Sequence, residues 1–181
     1  LHSGSINYED LNIFHPGICN RLDRNTSGIV AAGKTMNGLQ KLSAHFKDRT
    51  LNKYYICIVK GEITKRQLVN GYLKKDHSSN RVTIYKQLPD DILSDKNMPA
   101  NDKNTDKSEY MPIETEYIPV VSNGRITLLK IHLITGRSHQ IRAHLASLSH
   151  PLAGDYKYGD ASFNQYFADK YFCRNQMLHS Y

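Results

Sequence analysis

The chain has 181 residues, with 24 Lys+Arg against 17 Asp+Glu, a formal net charge of +7, 9 His, 3 Cys and no Trp. That length suits one domain with a buried core, and 39% hydrophobic with 23% charged residues excludes wholesale disorder. The longest apolar runs, Ile29-Val30-Ala31-Ala32 and Ile56-Cys57-Ile58-Val59, fall far short of the roughly 18 residues that a membrane helix needs.

Ser27 to Gly33 is a compact apolar run flanked by glycine, which predicts a short buried strand. Thr35 is a candidate N-cap for a helix over 36–48, with Met36, Leu39, Leu42, Ser43 and Phe46 on one face. Lys53 to Lys60 is rich in β-branched and aromatic residues and stops at Gly61, as a strand does. Shorter strands are predicted at 68–73 and 81–86. Residues 87–112 lack periodicity and are crowded with Asp, Asn, Lys, Ser and Pro, the composition of a flexible polar loop. Ile113 to Val121 and Arg125 to Leu133 flank Ser122-Asn123-Gly124, and Asn-Gly between two such runs signals a hairpin. After Gly136, a helix over 138–148 places Ile141, Leu145 and Leu148 on one face and leaves Arg137, His139 and Arg142 for other surfaces. With no βαβ alternation and no internal repeat, this order predicts an α+β fold: a mostly antiparallel mixed sheet with flanking helices.

Charge is unevenly distributed. Residues 90–109 hold six acids (Asp90, Asp91, Asp95, Asp102, Asp106, Glu109) and three bases (Lys96, Lys103, Lys107), so this segment is net −3 and the rest of the chain +10. A positive body of that size suits a polyanion partner. Cys19, Cys57 and Cys173 are odd in number and without a CxxC pair, so neither a disulfide framework nor a thiolate zinc site is expected, and a reducing cytoplasmic setting is the simplest. The polar start Leu1-His2-Ser3-Gly4 carries no signal-peptide pattern. His139 and His144 are five apart rather than four, and no metal site is expected there.

Gly28-Ile29-Val30-Ala31-Ala32-Gly33-Lys34-Thr35 satisfies the phosphate-loop pattern G-x-x-x-x-G-K-[ST]. A nucleotide triphosphatase would need an apolar strand before the first glycine and backbone N–H groups aimed at phosphate between the two. Here the preceding stretch is polar, and no apolar run ending in Asp follows to hold magnesium. The match is expected to be a coincidence.

Two denser segments carry chemistry. Arg21-Leu22-Asp23-Arg24-Asn25-Thr26-Ser27-Gly28 sets one carboxylate between two guanidinium groups, just before a strand, with Asn, Thr and Ser able to fix a tight turn. From these residues alone, a structural Asp in a capped turn and a reactive carboxylate both stay open. Thr135-Gly136-Arg137-Ser138-His139-Gln140-Ile141-Arg142-Ala143-His144 gathers several donors at the start of a helix, a terminus suited to a phosphate backbone.

Taken in order, Arg21-Leu22-Asp23-Arg24-x-Thr26-Ser27-Gly28, then Lys53-x-Tyr55 and Gly61, then Thr135 to Arg142, then Pro151-Leu152-x-Gly154-Asp155 with Tyr158-Gly159, resemble the ribosomal large-subunit (RluA-type) pseudouridine synthases over about 20–160. The resemblance implies the pseudouridine synthase catalytic fold as a single domain over 1–181. It implies an isomerase that detaches uracil from its ribose, turns it and rejoins it through carbon, without metal or cofactor. The expected partner is structured RNA, large-subunit ribosomal RNA before transfer RNA, met by a cytoplasmic monomer. By the same resemblance Asp23 is the essential carboxylate. Whether it attacks the sugar, removes a sugar proton or adds to the base stays open, and each route needs it ionised against a flipped nucleotide. Arg142 matches the arginine that pairs with this aspartate, Tyr55 the tyrosine that packs on the flipped base, and Arg21 the residue that fills the gap it leaves. Arg24, Arg137 and His139 are expected to contact RNA.

The chain departs from the family pattern in places. Asn20 stands where most relatives have His, and a short amide can still make the turn's hydrogen bonds. The Lys-Pro strand motif is absent before Leu1, Tyr8 to Pro16 is short, and the chain stops at Leu178-His179-Ser180-Tyr181, so trimming at both ends is expected. These departures leave a catalytically inactive RNA-binding or ribosome-assembly module as the alternative reading.

Overall fold

The structure is a computed structural model that describes residues 15–90, 92 and 109–181. Among the described residues the strands and helices follow in order: β1 (Gly17–Ile18), β2 (Ser27–Gly28), β3 (Ala32–Gly33), α1 (Met36–Lys47), β4 (Tyr54–Lys60), β5 (Gln67–Asp76), β6 (Arg81–Tyr85), β7 (Tyr110–Ser122), β8 (Ile126–Leu133), α2 (Gln140–Ser147), α3 (Ala161–Tyr171) and β9 (Leu178–Ser180). Seven strands form one sheet in the order β2-β9-β4-β8-β7-β5-β6, while β1 and β3 make a separate two-stranded ribbon. The pairings in the large sheet are antiparallel except β2 with β9, so the fold is α+β on a mixed sheet, as expected.

Alternation along the central strands builds the core. In β8, Thr127, Leu129, Ile131 and Leu133 are buried and the residues between them half-buried. Cys57 and Val59 of β4 join Leu129 and Ile131, and Ile141 and Leu145 of α2 close over them. On the opposite face Ile58 and Ile126 receive Phe163 and Phe167 of α3. Each such apolar side chain contributes about 1.5–3 kcal/mol by leaving water. No helix among the described residues is long and apolar enough to cross a membrane.

The hairpin forms as read. Gly124 takes φ 81°, and the Asn123 Oδ1 accepts from the N–H groups of Arg125 at 3.0 Å and Ile126 at 2.9 Å. Thr35 caps α1, its Oγ1 accepting from Gly38 N–H at 3.1 Å.

Four expectations are corrected. The run from Ser27 to Gly33 is not one buried strand. Its ends pair with different partners, Ser27–Gly28 with β9 and Ala32–Gly33 with β1, so residues 29–31 cross between two sheets and Ile29 stays 60% exposed. The loop predicted over 87–112 ends early: Tyr110 to Pro112 already pair with Lys74 to Tyr72, because β5 is long enough to carry β7 three residues beyond Ile113. Residues 93–108 of that loop lie outside the described residues. The helix expected at 138–148 starts at Gln140, since His139 sits in the left-handed region at φ 55°. Arg142 is not left on a surface, because this helix buries Gln140 through Leu145 without a break. The α3 helix and β9 lacked a sequence reading, and β9 is the strand against which β2 pairs.

Candidate active site

Asp23 stands in a tight turn, with Thr26 N–H donating to its carbonyl at 2.9 Å and Asn25 in the left-handed region at φ 68°. Asn20 fixes the approach to that turn as a short amide can: its Oδ1 accepts from Ala31 N–H at 2.7 Å and its Nδ2 donates to the Ile29 carbonyl at 3.3 Å. Ile29 N–H is spent on the Ser180 carbonyl at 3.0 Å. Two backbone donors that a phosphate loop would aim at its ligand are therefore committed elsewhere, which agrees with the mismatch in sequence context.

The partner of the Asp23 carboxylate is Arg142, whose Nη1 donates to Oδ2 at 3.3 Å. Neither neighbour in sequence takes that role. Arg21 and Arg24 are exposed, because successive residues of the turn point in different directions. Arg21 lines the cleft and Arg24 does not.

Arg142 is in turn held from behind. Its Nε and Nη2 donate to the two oxygens of Asp155 at 2.8 and 2.9 Å, with the Asp155 side chain 1% exposed. Backbone N–H groups of Lys157 and Tyr158 add to Asp155 Oδ1 at 2.9 and 3.1 Å. Burial pushes the Asp155 carboxyl up, and the hydrogen bonds and charge of Arg142 more than offset this, so it is held below the usual range. Burial likewise pulls Arg142 down, and the two carboxylates raise it above its ordinary value.

Tyr158 completes this side. Its hydroxyl accepts from Val82 N–H at 2.9 Å and lies 2.8 Å from His139 Nδ1. Burial lowers the His139 pKa; the Asp23 charge opposes this and the Arg142 charge adds to it. Tyr55, in β4, sits across the sheet from Ser180 and packs on the main core. Burial raises its pKa, the Ser180 hydroxyl lowers it and the Asp23 charge raises it further, so the phenol stays protonated at neutral pH.

Asp23, Arg21, Tyr55, Arg137, His139 and Arg142 all line one cleft of about 500 Å³. Its composition, one carboxylate among cations and aromatic rings, suits a polyanionic substrate with a flat base. Asp155 and Tyr158 had no assigned role in the sequence reading. Their signal was the Gly154-Asp155 and Tyr158-Gly159 pairs, which the family pattern contains. His144, by contrast, turns inward to Thr115 Oγ1 at 3.2 Å.

Comparison with known proteins identifies the family. Residues 3–147 match the family described as RNA pseudouridylate synthase. An uncharacterised RNA pseudouridine synthase of Mycoplasma genitalium is 36% identical over 171 residues, 93% of this chain and 46% of that protein. Ribosomal large subunit pseudouridine synthase D of Borreliella burgdorferi is 31% identical over 185 residues, all of this chain and 48% of that protein. A transfer RNA pseudouridine synthase C of Salmonella typhi is 29% identical over 168 residues, 92% of this chain and 61% of that protein. The chain thus spans about half the length of the first two of these relatives. In fold, the human RNA pseudouridylate synthase domain containing 1 superposes with a TM-score of 0.68 at 22% identity, over 92% of this chain and 62% of that one. The chain belongs to the RNA pseudouridylate synthase family.

Proposed function

We propose that this chain converts uridine to pseudouridine in structured RNA, large-subunit ribosomal RNA first, with Asp23 as the essential carboxylate. One observation carries the reading: Asp23 faces a cleft while a buried arginine, itself pinned by a second carboxylate, holds its Oδ2. An arginine so placed aims Asp23 and spares its other oxygen for the nucleotide. Tyr55, protonated and flat, is suited to pack against a uracil turned into the cleft. Arg21 at the rim is suited to fill the space the base vacates, and Arg24, Arg137 and His139 to meet the RNA around it. The whole chain, 1–181, acts as one catalytic domain in this reading, as a monomer in the cytoplasm, with no cofactor.

The test is Asp23→Asn. Circular dichroism and RNA binding are expected to match the wild type, while pseudouridine, scored by mass spectrometry or chemical mapping of ribosomal and transfer RNA, disappears. Undiminished product from that variant overturns the role of Asp23, and product absent from wild type as well favours the binding-module alternative.

A further inference from the structure

The cleft holds a second electrostatic feature, away from the Asp23, Arg142 and Asp155 chain. Lys53 and Arg137 line it. Among the described residues neither side chain, nor that of Arg49 beside them, has an ion pair, and the Arg137 Nε is shielded from solvent without a hydrogen-bond partner. Burial lowers the pKa of both Lys53 and Arg137, and the charge of Arg49 lowers each further.

Three separate pieces of chain bring these cations together. Arg49 follows the end of α1 in the left-handed region at φ 57°. Lys53 immediately precedes β4, its carbonyl accepting from Leu133 N–H at 2.8 Å. Arg137 lies in the turn before α2, its N–H donating to Gln140 Oε1 at 3.0 Å. Lys53 Nζ lies against this turn, 2.8 Å from where a Cβ on Gly136 would stand. Like charges gathered on fixed backbone raise the energy of the empty cleft, and an anion lowers it. Among the described residues the one carboxylate side chain that lines the cleft, Asp23, is paired with Arg142.

We propose that Lys53 and Arg137 form a phosphate subsite that holds one backbone phosphodiester of the RNA strand, beside the nucleotide presented to Asp23. This rests on the reading of the chain as an RNA-modifying enzyme. The guanidinium of Arg137 offers a fork and Lys53 a point charge, a pairing suited to phosphate oxygens. Such a contact fixes the register of the strand and reads no base.

The test is the binding of a single-stranded oligouridylate, followed by fluorescence anisotropy over a KCl series. The proteins are wild type, Lys53→Gln, Arg137→Gln, the double variant and Lys65→Gln, an exposed lysine outside the cleft. Each single cleft variant is expected to bind several-fold more weakly. The double variant is expected to lose little more than either, because both side chains hold the same phosphate. The salt slope is expected to fall by about 0.7, one phosphate's worth for a single strand, while Lys65→Gln leaves affinity and slope unchanged. Thermal unfolding is expected to move the opposite way, with Tm equal to or above wild type once one repelling charge is gone. Additive losses, an equal loss in Lys65→Gln, or a lowered Tm accompanying the weaker binding each overturn the proposal. A Tm rise on adding inorganic phosphate that the double variant lacks, with the RNA salt slope unchanged, assigns the site to a free anion and also overturns it. Product is scored separately. A chain that makes pseudouridine without the coupled loss keeps its function and loses the subsite, whereas one showing the coupled loss without product keeps the subsite and loses the function.

Discussion

Arg142 and Asp155 form a two-point pair in the interior, Nε to Oδ2 at 2.8 Å and Nη2 to Oδ1 at 2.9 Å, which leaves Nη1 alone to reach Asp23 at 3.3 Å. The guanidinium therefore acts as a rigid link. One edge is anchored in the turn before α3 and the remaining nitrogen faces the cleft.

Two substitutions at Asp155 separate anchoring from folding. Asp155→Ala leaves a buried arginine with only the longer contact to Asp23 and is expected to cost about 3–5 kcal/mol, read by urea unfolding. Asp155→Asn keeps an oxygen for Arg142 Nη2 and for the Lys157 and Tyr158 N–H groups, but can turn an NH₂ toward Arg142 Nε–H. It is expected to keep much of the stability while product formation falls about 100-fold, the scale on which a misplacement near 1 Å is felt. Wild-type turnover in Asp155→Asn would show that Arg142 needs no anchor.

Gly28 governs the other side of the link. Its φ of 123° is open to glycine alone, and a Cβ there would stand 2.0 Å from the Ser180 carbonyl oxygen. Gly28→Ala is expected to cost about 1–3 kcal/mol and to unpair β2 from β9. The turn that carries Asp23 hangs from that pairing, so limited trypsin digestion is expected to cut faster after Arg21 and Arg24. An unchanged digestion pattern would mean that the turn holds itself.

Much of the frame was legible from local signals. Enrichment in β-branched and aromatic residues marked β4, Asn123-Gly124 marked the hairpin of β7 and β8, and Thr35 marked the start of α1, because each reports on its own few residues. Asp23, Tyr55 and Arg142 were found through the order of four motifs, which reports on ancestry. What escaped was pairing at a distance. Arg142 lies at a helical position that the spacing of Ile141, Leu145 and Leu148 excludes from the core, yet it is 7% exposed, since the 152–159 turn covers that side and supplies Asp155. The split of residues 27–33 between two sheets had no local signal either, because each half pairs with a strand placed by the rest of the fold.

His144 makes stability depend on acidity. The ring is 2% exposed, beside Thr115 and the edge of Tyr117, and burial pulls its pKa from 6.5 down to about 4. The folded state therefore refuses a proton that the unfolded chain accepts. Stability is full above pH 6.5, falls as the pH drops from 6.5 to about 4, and loses no more from this group below that. The full loss is about 3 kcal/mol at 1.36 kcal/mol per pKa unit. Urea unfolding at pH 7, 5.5 and 4.5 is expected to trace this slope in wild type and a flatter one in His144→Gln. Equal slopes in the two proteins would assign the acid sensitivity to other groups.

Gln140 joins the core to the cleft. Its Oε1 accepts from Thr135 Oγ1 at 2.9 Å and Arg137 N–H at 3.0 Å, and its Nε2 donates to the Glu114 carbonyl at 3.2 Å and Thr115 Oγ1 at 2.9 Å. All four capacities of one buried amide are thus filled, and together they tie β7 and the 135–139 turn to the first residue of α2. Gln140→Leu keeps the approximate volume and strands those partners, each at about 1–3 kcal/mol if it finds no water. Gln140→Glu keeps the shape and places a carboxylate oxygen against the Glu114 carbonyl, so it is expected to destabilise at neutral pH and to recover as acid protonates it. Because Arg137 and His139 leave from this turn, RNA binding is expected to weaken in both variants even at temperatures where circular dichroism is unchanged. Hydrogen exchange at the Arg137 amide reads the same event directly: its protection is expected to fall first, ahead of the β8 amides. Protection of Arg137 that survives Gln140→Leu would show that the turn is held by its own backbone and not by this side chain.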